Sequence, residues 1–187
     1  HQDLAAVIIE PIPANNGLLL QDRSVLQLLR ERCTAHGVLL IFDEVISGFR
    51  VGFAGAAGYY DIQPDILTYG KIIGGGMPVG AYGASAELMS HIAPEGGVYQ
   101  AGTLSANPVA MAAGYAALQQ LVEPGFYEAL DAKTQLFVDG IQSYCDERDY
   151  PVRIARAGSI FWMAFGRERI VSADQIDPAS MEKFKHL

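Results

Sequence analysis

Ile66-Leu67-Thr68-Tyr69-Gly70-Lys71-Ile72-Ile73-Gly74-Gly75-Gly76 decides how this chain is read. Its first five residues form a β-like apolar run, a lysine follows at once, and three glycines close the stretch. A second apolar run, Val38 to Phe42, ends on Asp43-Glu44. An acid and a lysine, each at the carboxyl end of its own strand, suit an α/β protein that binds its ligand at that edge of the sheet. A lysine beside glycines is poorly placed for a solvated surface. Held out of water, with a lowered pKa, its amine is expected to react with a carbonyl as a Schiff base and then to carry protons.

Working outward, Leu4 to Ile9 reads as a buried strand, followed by the turn Pro13-Ala14-Asn15-Asn16-Gly17. Asp22 or Ser24 caps a helix with an apolar stripe of Val25, Leu26, Leu29 and Cys33, and Gly37 ends it. The next strand, Val38 to Phe42, completes a strand–helix–strand unit of the parallel kind. Gly48 to Gly58 reads as a glycine-rich connection. Val79 to Gly83 predicts another strand, and Glu87 to His91 a short helix. Asn107-Pro108 opens an alanine-rich helix to about Val122, with proline at its first turn. Phe126 to Glu147 predicts a long amphipathic helix with Tyr127, Leu130, Leu136 (or Thr134) and Ile141 inward. Two strands, Val152 to Ala157 and Ile160 to Phe165, flank Gly158, and the tail beyond Arg167 is polar. The expected division is residues 1–124 as part of a large domain, and 125–187 as a connecting helix and the start of a smaller one.

Composition narrows the function. The chain has 187 residues, half of them hydrophobic and only 18% charged, which argues against disorder. Its net charge of −8 and lack of a basic run disfavour nucleic acid or an anionic membrane as partner. No stretch reaches the roughly 20 apolar residues of a membrane span. Cys33 and Cys145 read as reduced core thiols of a cytoplasmic protein. His1, His36, His91 and His186 share no ligand spacing with them, so no metal is assigned. Opening on His1 rather than Met suggests that the natural N-terminus lies elsewhere. The run 38–44 also looks like the acid strand of a phosphate-loop ATPase, but Gly70-Lys71 fails as its phosphate loop. Ile72 stands where Ser or Thr is needed, Asp65 where the first glycine should be, and the order is reversed.

Three stretches carry a resemblance: IFDEVISGFR (41–50), PDILTYGKIIGGGMPVGAYG (64–83) and VYQAGTLSANPVAMAAG (98–114). Together they resemble the class III, fold-type I pyridoxal-phosphate enzymes, and within these the glutamate-1-semialdehyde aminomutases. The resemblance is good from about Ala5 to Leu121 and loose beyond. It implies an α/β fold: a truncated fold-type I large domain, a mostly parallel sheet flanked by helices, and the start of a smaller α+β domain. It also implies that Lys71 forms the Schiff base with pyridoxal 5′-phosphate and that Asp43 pairs with the pyridine nitrogen. Val45 would pack on one face of the ring, and Asn15 would lie near the ring hydroxyl. Gly102 and Thr103 would hold the phosphate from the other subunit of a homodimer.

The implied reaction starts from the pyridoxamine form of the cofactor and converts glutamate-1-semialdehyde to 5-aminolevulinate, a tetrapyrrole precursor. An ω-amino-acid:2-oxo-acid aminotransferase is the alternative; a truncated, non-catalytic dimerising module is a third. The chain departs from the family at Ala106, where glycine is usual, and at Asn16, where a small or apolar residue is common. The family's Ser-Gly-Thr phosphate loop, its ring-stacking aromatic and its C-terminal gating acid are not found. The 187 residues alone are therefore expected to be inactive.

Overall fold

The computed structural model describes residues 3–15 and 17–185, so His1, Asn16 and His186 lie outside the described residues. The chain opens with β1 (Ala6–Ile9), α1 (Arg23–His36) and β2 (Leu39–Asp43). Next come α2 (Gly55–Tyr60), β3 (Ile66–Tyr69), a 3-10 turn over Lys71–Gly74, β4 (Ala81–Ala84) and the short α3 (Ala86–Met89). Two longer helices follow, α4 (Pro108–Leu121) and α5 (Phe126–Glu147), then β5 (Val152–Ala157), β6 (Ile160–Phe165) and α6 (Ser180–Phe184).

Strands β1 to β4 form one sheet in sequential order. β1 and β3 each pair parallel to β2, and β4 closes the edge antiparallel to β3. Two consecutive strands that lie parallel need a crossover, and α1 supplies it for β1 and β2. α1 forms where it was expected. Asp22 is the N-cap, its carboxylate accepting from Ser24 N at 2.7 Å, and Gly37 adopts the left-handed conformation (φ 64°) that ends it. Leu26 and Cys33 of this helix pack with Leu40 and Phe42 of β2 in the core. Val25 does not belong to that stripe, being 51% exposed. The other face of the sheet is partly open, with Ile8 of β1 62% exposed, although parallel sheets normally bury both faces.

α5 buries Thr134, Val138 and Cys145, so Thr134 rather than Leu136 (77% exposed) takes the inward position. The spacing 130–134–138 keeps one face, and residue 136 falls on the opposite one. β5 and β6 make a separate two-stranded sheet. Three elements have no counterpart in the sequence reading. The connection 48–58 holds α2, and the polar tail holds a 3-10 turn (Ala173–Gln175) and α6, whose Phe184 meets Phe165 with ring centroids 4.8 Å apart. Cys33 and Cys145 are both buried and unpaired. Among the described residues no helix is long and apolar enough to cross a membrane.

Candidate active site

The register of the sheet sets the site. Asp43, the last residue of β2, pairs with Thr68 of β3, and Lys71 stands three residues after Thr68, at the start of the 3-10 turn that follows that neighbouring strand. Parallel strands about 4.8 Å apart thus deliver both groups to one edge. Asp43 Oδ1 accepts a hydrogen bond from Val45 N at 3.0 Å and a long one from Thr68 Oγ1 at 3.4 Å. Its other oxygen, Oδ2, has no hydrogen-bond partner among the described residues.

Glu44, beside it, is fully buried and held differently. Its carboxylate accepts from Ser47 Oγ (3.0 Å), Ala56 N (2.6 Å) and Ala57 N (2.9 Å), capping the first turn of α2. Any side chain at Gly55 would collide with that carboxylate. This cap crosses twelve residues of chain, which is why α2 gave no local start signal. Burial, and behind it the Glu44 charge, push the Tyr69 phenol up from its ordinary pKa. The Tyr69 ring meets that of Phe49 at a 41° tilt with centroids 5.4 Å apart, and a methyl at Gly48 would lie 2.7 Å from it.

Lys71 opens the 3-10 turn with φ 46°, a left-handed conformation that costs a non-glycine residue roughly 1 kcal/mol. The turn is clamped onto α4 by absent side chains. A Cβ at Gly75 would strike the Ala113 carbonyl, and one at Gly114 would strike that of Ile73. On the other side, a Cβ at Gly70 would stand 3.2 Å from Val45 Cγ1, so Val45 packs directly beside the lysine's backbone.

The structure therefore gathers Asp43, Val45 and Lys71 at one edge, but it corrects one expectation. Lys71 is exposed, not buried, and lines an open cavity of about 550 Å³ with Arg50, Ile72 and Met77, a lining that does not include Asp43. No described element lies over the amine to keep water from it.

The remaining candidates are more scattered. Asn15 is exposed in the loop that leaves β1 at the same edge as Asp43, and hydrogen-bonds to neither Asp43 nor Lys71. Gly102 and Thr103 are exposed on the loop before α4. Gly102 lines a different cavity, of about 760 Å³, with Tyr82, Ser105 and Met111. Ala106, the departure from glycine, has φ 55°, the backbone that glycine adopts without strain. Glu44 and α2 were missed by sequence reasoning. The available signal was an acid followed by Ser47 and the small residues of Gly55-Ala56-Ala57.

Comparison with known proteins bears on these observations. The sequence profile described as Aminotransferase class-III matches residues 1–182. The chain belongs to the class-III aminotransferase family. It is 47% identical to the glutamate-1-semialdehyde 2,1-aminomutase of Desulfosudis oleivorans over 183 residues, 98% of this chain and 43% of that protein. Among solved structures it resembles an omega-transaminase from Sphaerobacter thermophilus with a TM-score of 0.87 and 37% identity, covering 96% of this chain and 41% of that one. It also resembles a glutamate-1-semialdehyde aminomutase from Pseudomonas aeruginosa in complex with PMP, the pyridoxamine form of the cofactor. There the TM-score is 0.78 and the identity 25%, over 94% of this chain and 41% of that one.

This class-III chain thus spans about two fifths of the length of the relatives it matches. Its fold is that of the fold-type I pyridoxal-phosphate enzymes, and pyridoxal 5′-phosphate is the family's cofactor. The residues present fit that group. Asp43 offers an unpartnered carboxylate oxygen, Val45 an apolar wall, and Lys71 an amine without ion pair or hydrogen bond among the described residues.

Proposed function

We propose that this chain is the central part of an enzyme that moves an amino group within one molecule, converting glutamate-1-semialdehyde to 5-aminolevulinate. The observation that carries the reading is the β2–β3 register, which puts a carboxylate with one free oxygen and a lysine on adjacent strand ends. The 47% identity to an aminomutase supports the choice of substrate.

When bound, pyridoxal phosphate supplies an aldehyde that captures amines and a protonated ring that accepts electrons from a substrate carbon. Lys71 Nζ would hold the cofactor through its aldehyde and would carry protons between the substrate carbon and the cofactor carbon C4′. Asp43 Oδ2 would accept the ring nitrogen's N–H and keep that nitrogen protonated. Val45 would pack against a ring face, and Asn15 would lie near the ring hydroxyl.

Gly102 and Thr103 would bind the phosphate through backbone N–H groups and the Thr103 hydroxyl, reaching across a homodimer. Gly102 lines a cavity that shares no lining residue with the Lys71 cavity, which supports that arrangement. So does the apolar surface around them, where Tyr99 is 84%, Leu104 64% and Val109 61% exposed. The large domain is taken to end near residue 124, where Pro124-Gly125 separates α4 from α5. The unpaired thiols of Cys33 and Cys145 support a cytoplasmic setting.

A second reading, an ω-amino-acid:2-oxo-acid aminotransferase, is favoured by the 37% identity to an omega-transaminase structure. The deciding assay gives the full-length protein glutamate-1-semialdehyde without any 2-oxo acid. Release of 5-aminolevulinate is the expected result; an absolute requirement for an amino acceptor overturns the mutase in favour of the transaminase. Borohydride reduction and peptide mapping test the site itself, with a pyridoxyl group expected on Lys71.

A further inference from the structure

The facing pairs of β2 and β3 change character in one step. Ile41 pairs with Ile66, and two residues further along, on the same face, Asp43 pairs with Thr68. An apolar cross-strand pair is thus followed by a polar one, at the end where the chain leaves the sheet for Lys71. Thr68 is the only aliphatic hydroxyl on the two strands. Its Oγ1 donates to Asp43 Oδ1 at 3.4 Å and has no other hydrogen-bond partner among the described residues. Tyr82, its register partner on β4, makes no hydrogen bond with it. Threonine favours strands, which accounts for the backbone at this position. Strand preference does not account for where the hydroxyl points.

Both donors to Asp43 fall on one oxygen. Val45 N reaches Oδ1 at 3.0 Å from two residues further along the chain, and Thr68 reaches it from the neighbouring strand. The first contact is local and leaves the carboxylate free to swing about that oxygen. A second donor from another direction restrains the swing, even through a long bond. The Thr68 backbone is itself held, because its carbonyl accepts from Glu44 N at 3.0 Å and strands pair with β3 on both sides. A β-branched side chain adds stiffness at χ1. Asp43 Oδ2 is left without a partner among the described residues and with a set direction.

We propose that Thr68 is a positioning residue, whose hydroxyl fixes the plane of the Asp43 carboxylate so that Oδ2 faces the ring nitrogen of pyridoxal phosphate. The proposal rests on the reading of Asp43 given above. Thr68 touches neither cofactor nor substrate in this role and acts only through the acid. A freely turning carboxylate loses rotational freedom when it captures a ring N–H. One that is already oriented loses less, so the hydroxyl contributes to cofactor affinity.

The test uses the full-length protein, stripped of cofactor and titrated with pyridoxal phosphate, whose binding is read from visible absorption. Thr68→Val keeps the side chain's shape and strand preference and removes only the hydroxyl, which Thr68→Ser restores. Asp43→Ala and the double variant complete a cycle, with thermal unfolding of each protein followed without cofactor. Thr68→Val is expected to bind the cofactor about threefold to tenfold more weakly at an unchanged unfolding temperature, and Thr68→Ser to bind within about twofold of wild type. In the Asp43→Ala background, Thr68→Val is expected to change affinity by less than about twofold, because nothing remains for the hydroxyl to orient. Wild-type affinity in Thr68→Val beside weakened binding in Asp43→Ala overturns the proposal and leaves the reading of Asp43 standing. So does a Thr68→Ser protein that binds no better than Thr68→Val. An equal loss in both backgrounds also overturns it and assigns Thr68 to strand packing. Wild-type affinity in Asp43→Ala removes the reading of Asp43 and the proposal with it.

Discussion

The edge of the β2–β3 sheet and the loop before α4 carry residues proposed for the same cofactor, yet they are held in opposite ways. At the sheet edge Asp43, Glu44, Val45 and Lys71 are fixed from within the chain. Strand register, the three-bond Glu44 cap and glycine contacts with α4 leave each backbone one position. At the loop, Gly102 and Thr103 are exposed, and the nearest structure is local: Ser105 N donates to the Gly102 carbonyl at 2.9 Å, and Asn107 caps α4. The difference teaches that one region is fixed by long-range contacts, whereas the other is held only by its own turn and the α4 cap. It also separates two kinds of substitution, those that damage a single chain and those felt only across an interface.

The largest expected effect breaks the sheet-edge side of this contrast. In the full-length protein, Lys71→Ala should lower turnover by roughly 10³-fold or more and abolish the borohydride-trapped label, as removal of a nucleophile and proton carrier requires. Turnover within tenfold of wild type would end the assignment. Glu44→Ala should act on stability instead. It strands the Ser47 hydroxyl and two backbone N–H groups, at a cost of about 3 kcal/mol measured by urea unfolding. A loss below about 1 kcal/mol would mean that the cap is dispensable and the edge less rigid than drawn.

Thr103→Val sharpens the other side. Cofactor affinity should weaken by about tenfold, the worth of one hydrogen bond to a charged group, with little change in unfolding. Mixed dimers give the stronger reading. One subunit carrying Lys71→Ala and one carrying Thr103→Val should recover a single intact site, so activity at limiting cofactor rises above that of Thr103→Val alone when the two proteins are co-expressed. Failure to complement would place Thr103 in its own subunit's site or in none. The smallest effect is expected at Ala106→Gly. Relief of the φ 55° conformation should stabilise the protein by about 0.5–1 kcal/mol, a gain that denaturant titration resolves and that leaves turnover unchanged.

Much of this edge was legible in the sequence. The apolar runs before Asp43 and before Lys71 predicted two strands with chemistry at their ends, and the structure makes them parallel neighbours. Asp22, Gly37, Asn107 and Pro108 announced their helix ends because capping is a contact between residues two or three apart. What stayed hidden was long-range. α2 has no cap of its own, only a carboxylate twelve residues upstream. Arg50 looked like one more residue of a family signature until the contact of its carbonyl with Ser159, 109 residues along the chain, gave it a place. Lys71 looked buried, because a lysine among glycines is unusual on a surface. Among the described residues no element covers the lysine, which lines an open cavity.

The sequence by itself determined which side chains sit at strand ends, and hence the amine, the acid and the family, because these depend on local periodicity and on residue types at fixed spacing. Only the tertiary structure decided which of them meet. Register put Thr68 beside Asp43, and the absence of side chains at Gly75 and Gly114 let α4 seat the lysine turn. A hairpin from the far end of the chain fixed Arg50. Those outcomes depend on backbones approaching from distant parts of the chain, which no stretch of sequence specifies alone.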